Sequence, residues 1–279
     1  MTTESSAPSV HATAVGDTGD ARATIGTVVF LHGLFGRGRN FTTIARALQP
    51  QFGSLLVDLP DHGRSAWTDD FSYEKFADLV ADRLRDDVAA DRPVDLVGHS
   101  MGGKVAMVLA LRHPELVDRL VVVDISPVAG RDQGEFVHLL DSLAGLDLTR
   151  LAERSEADRL LADPIPDDRV RGFLLQNLRR GTDGFSWQAN LDLLRRDLPE
   201  IGSFPDDLDG PFDHPVLWVS GERSPYVRPE HESSMRRLFP RTSKVTIKGA
   251  GHWVHSEQPQ VFASVLRAFL TDGRTVPAS

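Results

Sequence analysis

The sequence predicts an α/β protein, a mostly parallel sheet flanked by helices with a helical segment inserted into it. Three observations carry this. Short β-branched and apolar runs recur along the chain, helical patterns alternate with them, and the alternation stops between roughly Ala129 and Gly210. Parallel neighbours need a crossover, so strands alternating with helices make βαβ units. Ligands of such sheets gather at the carboxyl ends of the strands.

The elements follow in chain order. Residues 1–9 read as a loose polar tail, and Val10–Val15 with the turn-rich Gly16-Asp17-Thr18-Gly19-Asp20 as an edge strand and hairpin. Thr27-Val28-Val29-Phe30-Leu31 runs into His32-Gly33, the pattern of a buried strand feeding a loop. Leu55-Leu56-Val57, Val94-Asp95-Leu96-Val97, Leu120–Val123, Val216–Val219 and Val245–Ile247 repeat it. Helical spacing joins Tyr73, Phe76, Val80, Leu84 and Val88 behind the N-cap candidate Ser72, and Val261, Phe262, Val265, Leu266 and Phe269 after Pro259. Between Leu120–Val123 and Val216–Val219, three groups keep helical spacing without a convincing strand: Phe136, Leu139, Leu140, Leu143; Val170, Phe173, Leu174, Leu178; and Leu191, Leu194, Leu198. Most of these faces are expected to pack on one another, with Phe136, Phe185 or Trp187 as candidates to line a pocket. The expected division is a tail (1–9), a core (10–128 and 211–279) and a helical cap (129–210) inserted after the sixth strand.

Composition narrows the function. With 279 residues, 41% hydrophobic and 25% charged, the chain has a globular composition. Its net charge of −9 lacks the cationic surplus that neutralises phosphates, which argues against nucleic acid and an anionic membrane surface as partners. No run approaches the roughly 18 apolar residues of a membrane span, so the protein is expected to be soluble. The absence of cysteine removes thiolate nucleophiles and cysteine zinc sites, leaving oxygen or nitrogen as nucleophile. The histidines lack H-E-x-x-H spacing, so neither a metal nor another cofactor is expected. The first 25 residues show no basic and no apolar region of a signal peptide, making the cytoplasm the default location.

Val94-Asp95-Leu96-Val97-Gly98-His99-Ser100-Met101-Gly102-Gly103 sets G-x-S-x-G between a strand pattern and the helix pattern Val105–Leu111. Ser100 is therefore expected on a sharp strand-to-helix turn, beside unpaired backbone N–H groups suited to an oxyanion. A serine hydroxyl needs a base. His252, in Lys248-Gly249-Ala250-Gly251-His252-Trp253-Val254-His255 between the last strand and last helix patterns, is the expected base, with His255 structural. His32, His62, His99 and His113 read as loop or turn residues bonded to backbone.

Phe30-Leu31-His32-Gly33-Leu34-Phe35-Gly36, Gly98–Gly103 and Gly251-His252, in this order, resemble an α/β-hydrolase, over a match from about Val28 to Leu270. The resemblance implies an oxyanion hole from the N–H of Met101 and that of Leu34, with Phe35 as second choice. His32–Gly36, Gly98–Lys104, Val122-Val123-Asp124-Ile125-Ser126-Pro127 and Ser224-Pro225-Tyr226-Val227 together are similar to the YbfF-type esterase and thioesterase subfamily, whose relatives include mitochondrial hydrolases and yeast ethanol acetyltransferases. That implies a small lidded esterase acting on acyl esters or acyl-CoA thioesters. The chain departs at Asp61-His62-Gly63-Arg64-Ser65, where many α/β-hydrolases have G-x-G in place of Asp61-His62-Gly63, a change that bears on loop and pocket shape. Lys104 invites a substrate role by its closeness to Ser100, against the preferred reading of a salt bridge or helix-surface position.

The acid of the triad is the remaining choice. The commonest arrangement of that fold has an Asp in a G-x-x-D pattern beyond the strand preceding the histidine, and here the stretch is Gly221-Glu222-Arg223-Ser224. Asp124 ends the strand Leu120–Val123, so its carboxylate is expected at the edge where Ser100 and His252 lie. The subfamily resemblance points to the same aspartate, and Glu222 is the alternative acid. The expected activity is hydrolysis of small-to-medium acyl esters or thioesters through an acyl-enzyme. Alcohol acyl transfer, perhydrolysis and C–C bond hydrolysis stand as rivals at the same site, and a ligand-sensing receptor as a rival from another class. Oligomeric state is not readable.

Overall fold

Strands that are buried on both faces form the centre of the molecule, and their side-chain alternation decides which core each residue joins. The structure, a computed structural model, describes residues 9–18, 24–89, 92–130 and 134–275. Along the chain the strands are β1 (Ala12–Val15), β2 (Gly26–Leu31), β3 (Phe52–Val57), β4 (Val94–His99), β5 (Val117–Val123), β6 (Leu178–Gly181), β7 (Gly184–Trp187), β8 (Val216–Gly221) and β9 (Thr242–Ile247). Seven of them make one sheet in the order β1-β3-β2-β4-β5-β8-β9, parallel throughout except for the edge pair β1 and β3.

The helices are α1 (Thr42–Leu48), α2 (Tyr73–Asp87), α3 (Met101–Arg112), α4 (Gly134–Ala144), α5 (Arg154–Leu161), α6 (Asp168–Leu175), α7 (Leu191–Arg196), α8 (Leu198–Gly202), α9 (Glu232–Leu238), α10 (Val254–Glu257) and α11 (Pro259–Thr271). Val29, Leu31, Leu55, Val57 and Val122 face one core with Phe76, Val80 and Leu84 of α2 and Val105 and Leu109 of α3. Val28, Phe30, Leu56, Val121 and Val123 face the other, with Ile44 and Leu48 of α1 and Phe262, Leu266 and Leu270 of α11. Ser72 caps α2 as the sequence predicts, its side chain accepting from the Lys75 N–H.

The sheet is interrupted after β5, the fifth strand among the described residues rather than the sixth. A second arm of the predicted N-terminal hairpin would fall partly on 19–23, outside those residues. The excursion is not wholly helical: α4 to α8 carry it, but β6 and β7 form an antiparallel hairpin within it. Leu178, read at helical spacing, opens β6. A strand of four residues is too short for its alternation to compete with the helical spacing on either side. The apolar faces pack on one another as expected, burying Leu140, Leu143, Ala157, Leu161, Leu174, Leu193 and Leu194.

The excursion leaves and returns at neighbouring points, where the Gly130 N–H donates to the Gly202 carbonyl at 2.8 Å. The Tyr73 hydroxyl donates to the Ile201 carbonyl at 2.5 Å. Lys104 corrects its predicted role. It is buried with no carboxylate partner among the described residues, and its Nζ donates to the Gly202 carbonyl at 2.8 Å and to that of Ser203. Helix C-terminal carbonyls lack intrahelical donors, so an ammonium satisfies the end of α8.

Candidate active site

β4 ends at His99 and α3 starts at Met101, leaving one residue to turn the chain. Ser100 does so at φ 54 and ψ −123, a positive φ that marks backbone strain at the G-x-S-x-G serine. The turn closes only because its flanks have no side chains. A Cβ on Gly98 would stand 2.3 Å from the Gly102 carbonyl oxygen, and one on Gly102 2.3 Å from that of His32.

Two loops complete the site. The loop after β9 carries His252, whose Nε2 lies 3.0 Å from Ser100 Oγ and whose Nδ1–H donates to Asp124 Oδ2 at 2.7 Å. Asp124 follows β5 at φ 53 and is wholly buried. Its other oxygen, Oδ1, accepts the Gly221 N–H at 3.0 Å. Glu222 does not reach His252: it accepts the Gly249 N–H at 2.9 Å. The structure thus brings Ser100, His252 and Asp124 into one hydrogen-bonded line and leaves Glu222 outside it.

The N–H groups of Leu34 and Met101 have no acceptor among the described residues, whereas that of Phe35 is engaged by His62 Nε2 at 3.3 Å. Leu34 is therefore the free donor of the loop after β2, and Phe35, the second choice, is occupied. Phe35 takes φ 61, and its carbonyl accepts from Asn177 Nδ2 at 2.8 Å and Gln176 Nε2 at 3.3 Å. His32 anchors the same loop, Nδ1–H to the Gly33 carbonyl and Nε2 from the Leu59 N–H at 2.9 Å. Burial, and then His62, push its pKa down to about 3, so it serves as a neutral strut.

Several contacts around Ser100, His252 and Asp124 were not read from the sequence. The Ser224 hydroxyl donates to Asp124 Oδ2, at the G-x-x-D position whose aspartate this chain lacks. That departure was the available signal. His99 Nε2–H donates to the His252 carbonyl at 2.9 Å, and Tyr226 stacks on the His252 ring at 4.2 Å. His99 and His62 meet backbone as expected; His113 instead bonds the Asp78 carboxylate at 2.7 Å. The divergent Asp61 keeps the left-handed conformation usual for glycine, φ 62, while its carboxylate accepts from Thr68 and from Asn190 Nδ2.

A narrow chamber of about 30 Å³ opens beside Ser100, lined by Leu34, Phe136, Leu139, Phe173 and Trp253 among others. Phe136 lines it, while Phe185 and Trp187 do not. Among the described residues no group of His, Cys, Asp or Glu is arranged to hold a metal, and no helix is long and apolar enough to cross a membrane.

A family model described as "alpha/beta hydrolase fold" matches residues 26–259. The chain is 40% identical over 257 residues to the mouse (Mus musculus) protein named sn-1-specific diacylglycerol lipase ABHD11, covering 90% of this chain and 83% of that one. It is 31% identical over 247 residues to esterase YbfF of Escherichia coli strain K12, covering 88% and 93%. A solved structure described as a marine microorganism esterase superposes with a TM-score of 0.88 at 31% identity, covering 94% of this chain and 100% of that one.

Proposed function

The chain belongs to the alpha/beta-hydrolase family, and from that premise we propose that it is a carboxylic ester hydrolase working through Ser100, His252 and Asp124. The observation that carries the reading is the unbroken hydrogen-bonded line from Ser100 Oγ through His252 to Asp124. Ser100 Oγ attacks the acyl carbon while His252 Nε2 takes its proton. Asp124 holds Nδ1 protonated and stabilises the imidazolium that forms. The Leu34 and Met101 N–H groups receive the oxyanion, each donor of this kind contributing on the order of 10²–10³ in rate. His252 then gives its proton to the leaving oxygen, and water, activated by the same imidazole, releases the acid from Ser100.

Segment 129–210 acts as a cap over this site, its α4 and α6 supplying Phe136, Leu139 and Phe173 to the chamber. A small, apolar inner chamber favours short-to-medium acyl groups. A panel of p-nitrophenyl esters of rising acyl length, read as kcat/KM, tests this: activity is expected to peak at short or medium chains. A steady rise to long chains and emulsified triglyceride would contradict it. Ser100→Ala and His252→Ala are expected to fold normally and lose about 10⁶ in kcat. Near-normal activity in either purified variant removes the assignment.

A further inference from the structure

A second chamber of different chemistry shares Asn40, Val170, Phe173, Trp253 and His255 with the space beside Ser100. The inner one is apolar and small, about 30 Å³, walled by the oxyanion loop and the α4 and α6 side chains. The outer one, about 600 Å³, is bordered by Trp253, Ser256 and Glu257 from the His252 loop and by Asn40, Arg169 and Arg223. His255 lines both.

His255 is fixed but unsatisfied. The residue is 9% exposed, its ring stacked on Phe41 at 4.6 Å and set edge-on to His99 at 4.7 Å. Neither ring nitrogen meets a hydrogen-bond partner among the described residues, and Nδ1 is closed off. Nε2 is the nitrogen left to the chambers. A buried polar group without a partner costs stability, and a residue with no bond of its own to make is poorly explained by packing, which phenylalanine would serve as well. Burial pushes its pKa down to about 3, so at ordinary pH it is a neutral group whose Nε2 offers a donor or an acceptor according to tautomer.

The sides of the site can be assigned from the chemistry. His252 Nε2 returns its proton to the departing oxygen, so the leaving group lies along the His252 loop, the border of the outer chamber. The acyl group stays on Ser100, beside the oxyanion donors and the inner chamber. Cations at the outer chamber are paired: Arg223 with Glu257 at 2.9 Å and Arg169 with Asp167 at 3.8 Å. Compensated charges offer little to a phosphate and suit an uncharged polar group.

We propose that the outer chamber takes the leaving group of the ester, an uncharged hydroxyl-bearing alcohol of the polyol class, and that His255 selects it through a hydrogen bond between a hydroxyl and the imidazole. The inference rests on the ester-hydrolase reading above.

The test compares glyceryl 1-monobutyrate, n-propyl butyrate and butyryl-CoA, each kcat/KM divided by the substrate's rate of base-catalysed hydrolysis. The glyceryl ester is expected to lead. Its ratio to the propyl ester should fall about three- to tenfold in His255→Phe, the size of one neutral hydrogen bond, and recover in part in His255→Gln, whose amide reaches toward the Nε2 position. A ratio unchanged by His255→Phe, or a lead for butyryl-CoA, overturns the proposal. A binding measurement stands apart from turnover: the inert ether 1-O-butylglycerol, titrated into the protein, is expected to shift the ¹⁵N resonances of the His255 ring. No binding, or binding that leaves them in place, overturns the proposal even if no ester is cleaved. Failure to cleave any ester with normal ether binding overturns the hydrolase reading alone.

Discussion

In the proposed triad Asp124 supplies the charge that the imidazolium needs, and its two oxygens are both committed, Oδ2 to His252 and Ser224 and Oδ1 to the Gly221 N–H. Asp124→Asn is expected to lower kcat about 10⁴ with little change in fold, because an amide can hold the imidazole in the wrong tautomer. Glu222→Gln, a residue bonded to the Gly249 N–H instead, should cost less than about tenfold. Steady-state kinetics of both variants decides between them, and a large loss confined to Glu222→Gln would reverse the assignment. Ser224→Ala should lie between, since it removes a hydroxyl that orients the carboxylate without removing its charge; a loss of about tenfold in kcat with KM unchanged is expected. At this scale Ser100 and His252 were legible because the proposed nucleophile and base sit in local motifs. Asp124 needed the order of strands, and the partners of Ser224, His99 and Tyr226 were not readable because each lies elsewhere along the chain.

The loop between β3 and α2 shows what a motif departure costs an element. Asp61 occupies a left-handed position where glycine is usual, and its carboxylate makes up part of that cost by binding Thr68 Oγ1 at 2.7 Å and Asn190 Nδ2 at 2.8 Å. Asn190 caps α7, and its N–H donates to the Asp61 carbonyl at 2.9 Å, so the loop fastens the inserted segment to the sheet domain. Asp61→Ala loses the bonds and keeps the strain, and is expected to destabilise by about 2–4 kcal/mol. Asp61→Gly loses the same bonds but relieves the backbone, so it should be the milder by about 1 kcal/mol in denaturant titrations. Equal losses would mean that the left-handed backbone carries no strain. The sequence marked this loop as divergent but could not say that its shape is kept, because the compensation comes from Asn190, 129 residues away. The hairpin of β6 and β7 went unread for a local reason, its short strands lying among longer helical patterns, while the buried parallel strands were plain from their unbroken apolar runs.

Across the whole molecule, buried titratable groups set the pH range in which the fold is most stable. His32 and His255 have pKa values pushed down to about 3 by burial, against 6.5 when solvated, and burial lowers His62 and His99 in the same direction. Between about pH 3 and 6.5 the unfolded chain therefore binds more protons than the folded one, so stability rises with pH across that window. Lys104 extends the rise. Desolvation lowers it from 10.5 to about 7, so its contribution is fully present above 10.5 and is lost as pH falls to 7. Tyr73, packed at the same junction, acts the other way: burial raises its pKa well above 10, and the unfolded tyrosine ionises first, which lowers stability above about pH 10. Asp95, raised by burial, opposes the acid arm near pH 4, but the lowered carboxyls of Asp78, Asp167, Asp197 and Glu232 reinforce it. Denaturant unfolding at pH 5, 7 and 9 is expected to give free energies that increase in that order. Lys104→Met should flatten the step from 7 to 9 and leave the step from 5 to 7 intact. A stability maximum near pH 5, or a Lys104→Met variant that keeps the full alkaline rise, would contradict a buried ammonium at the junction of the inserted segment and the sheet.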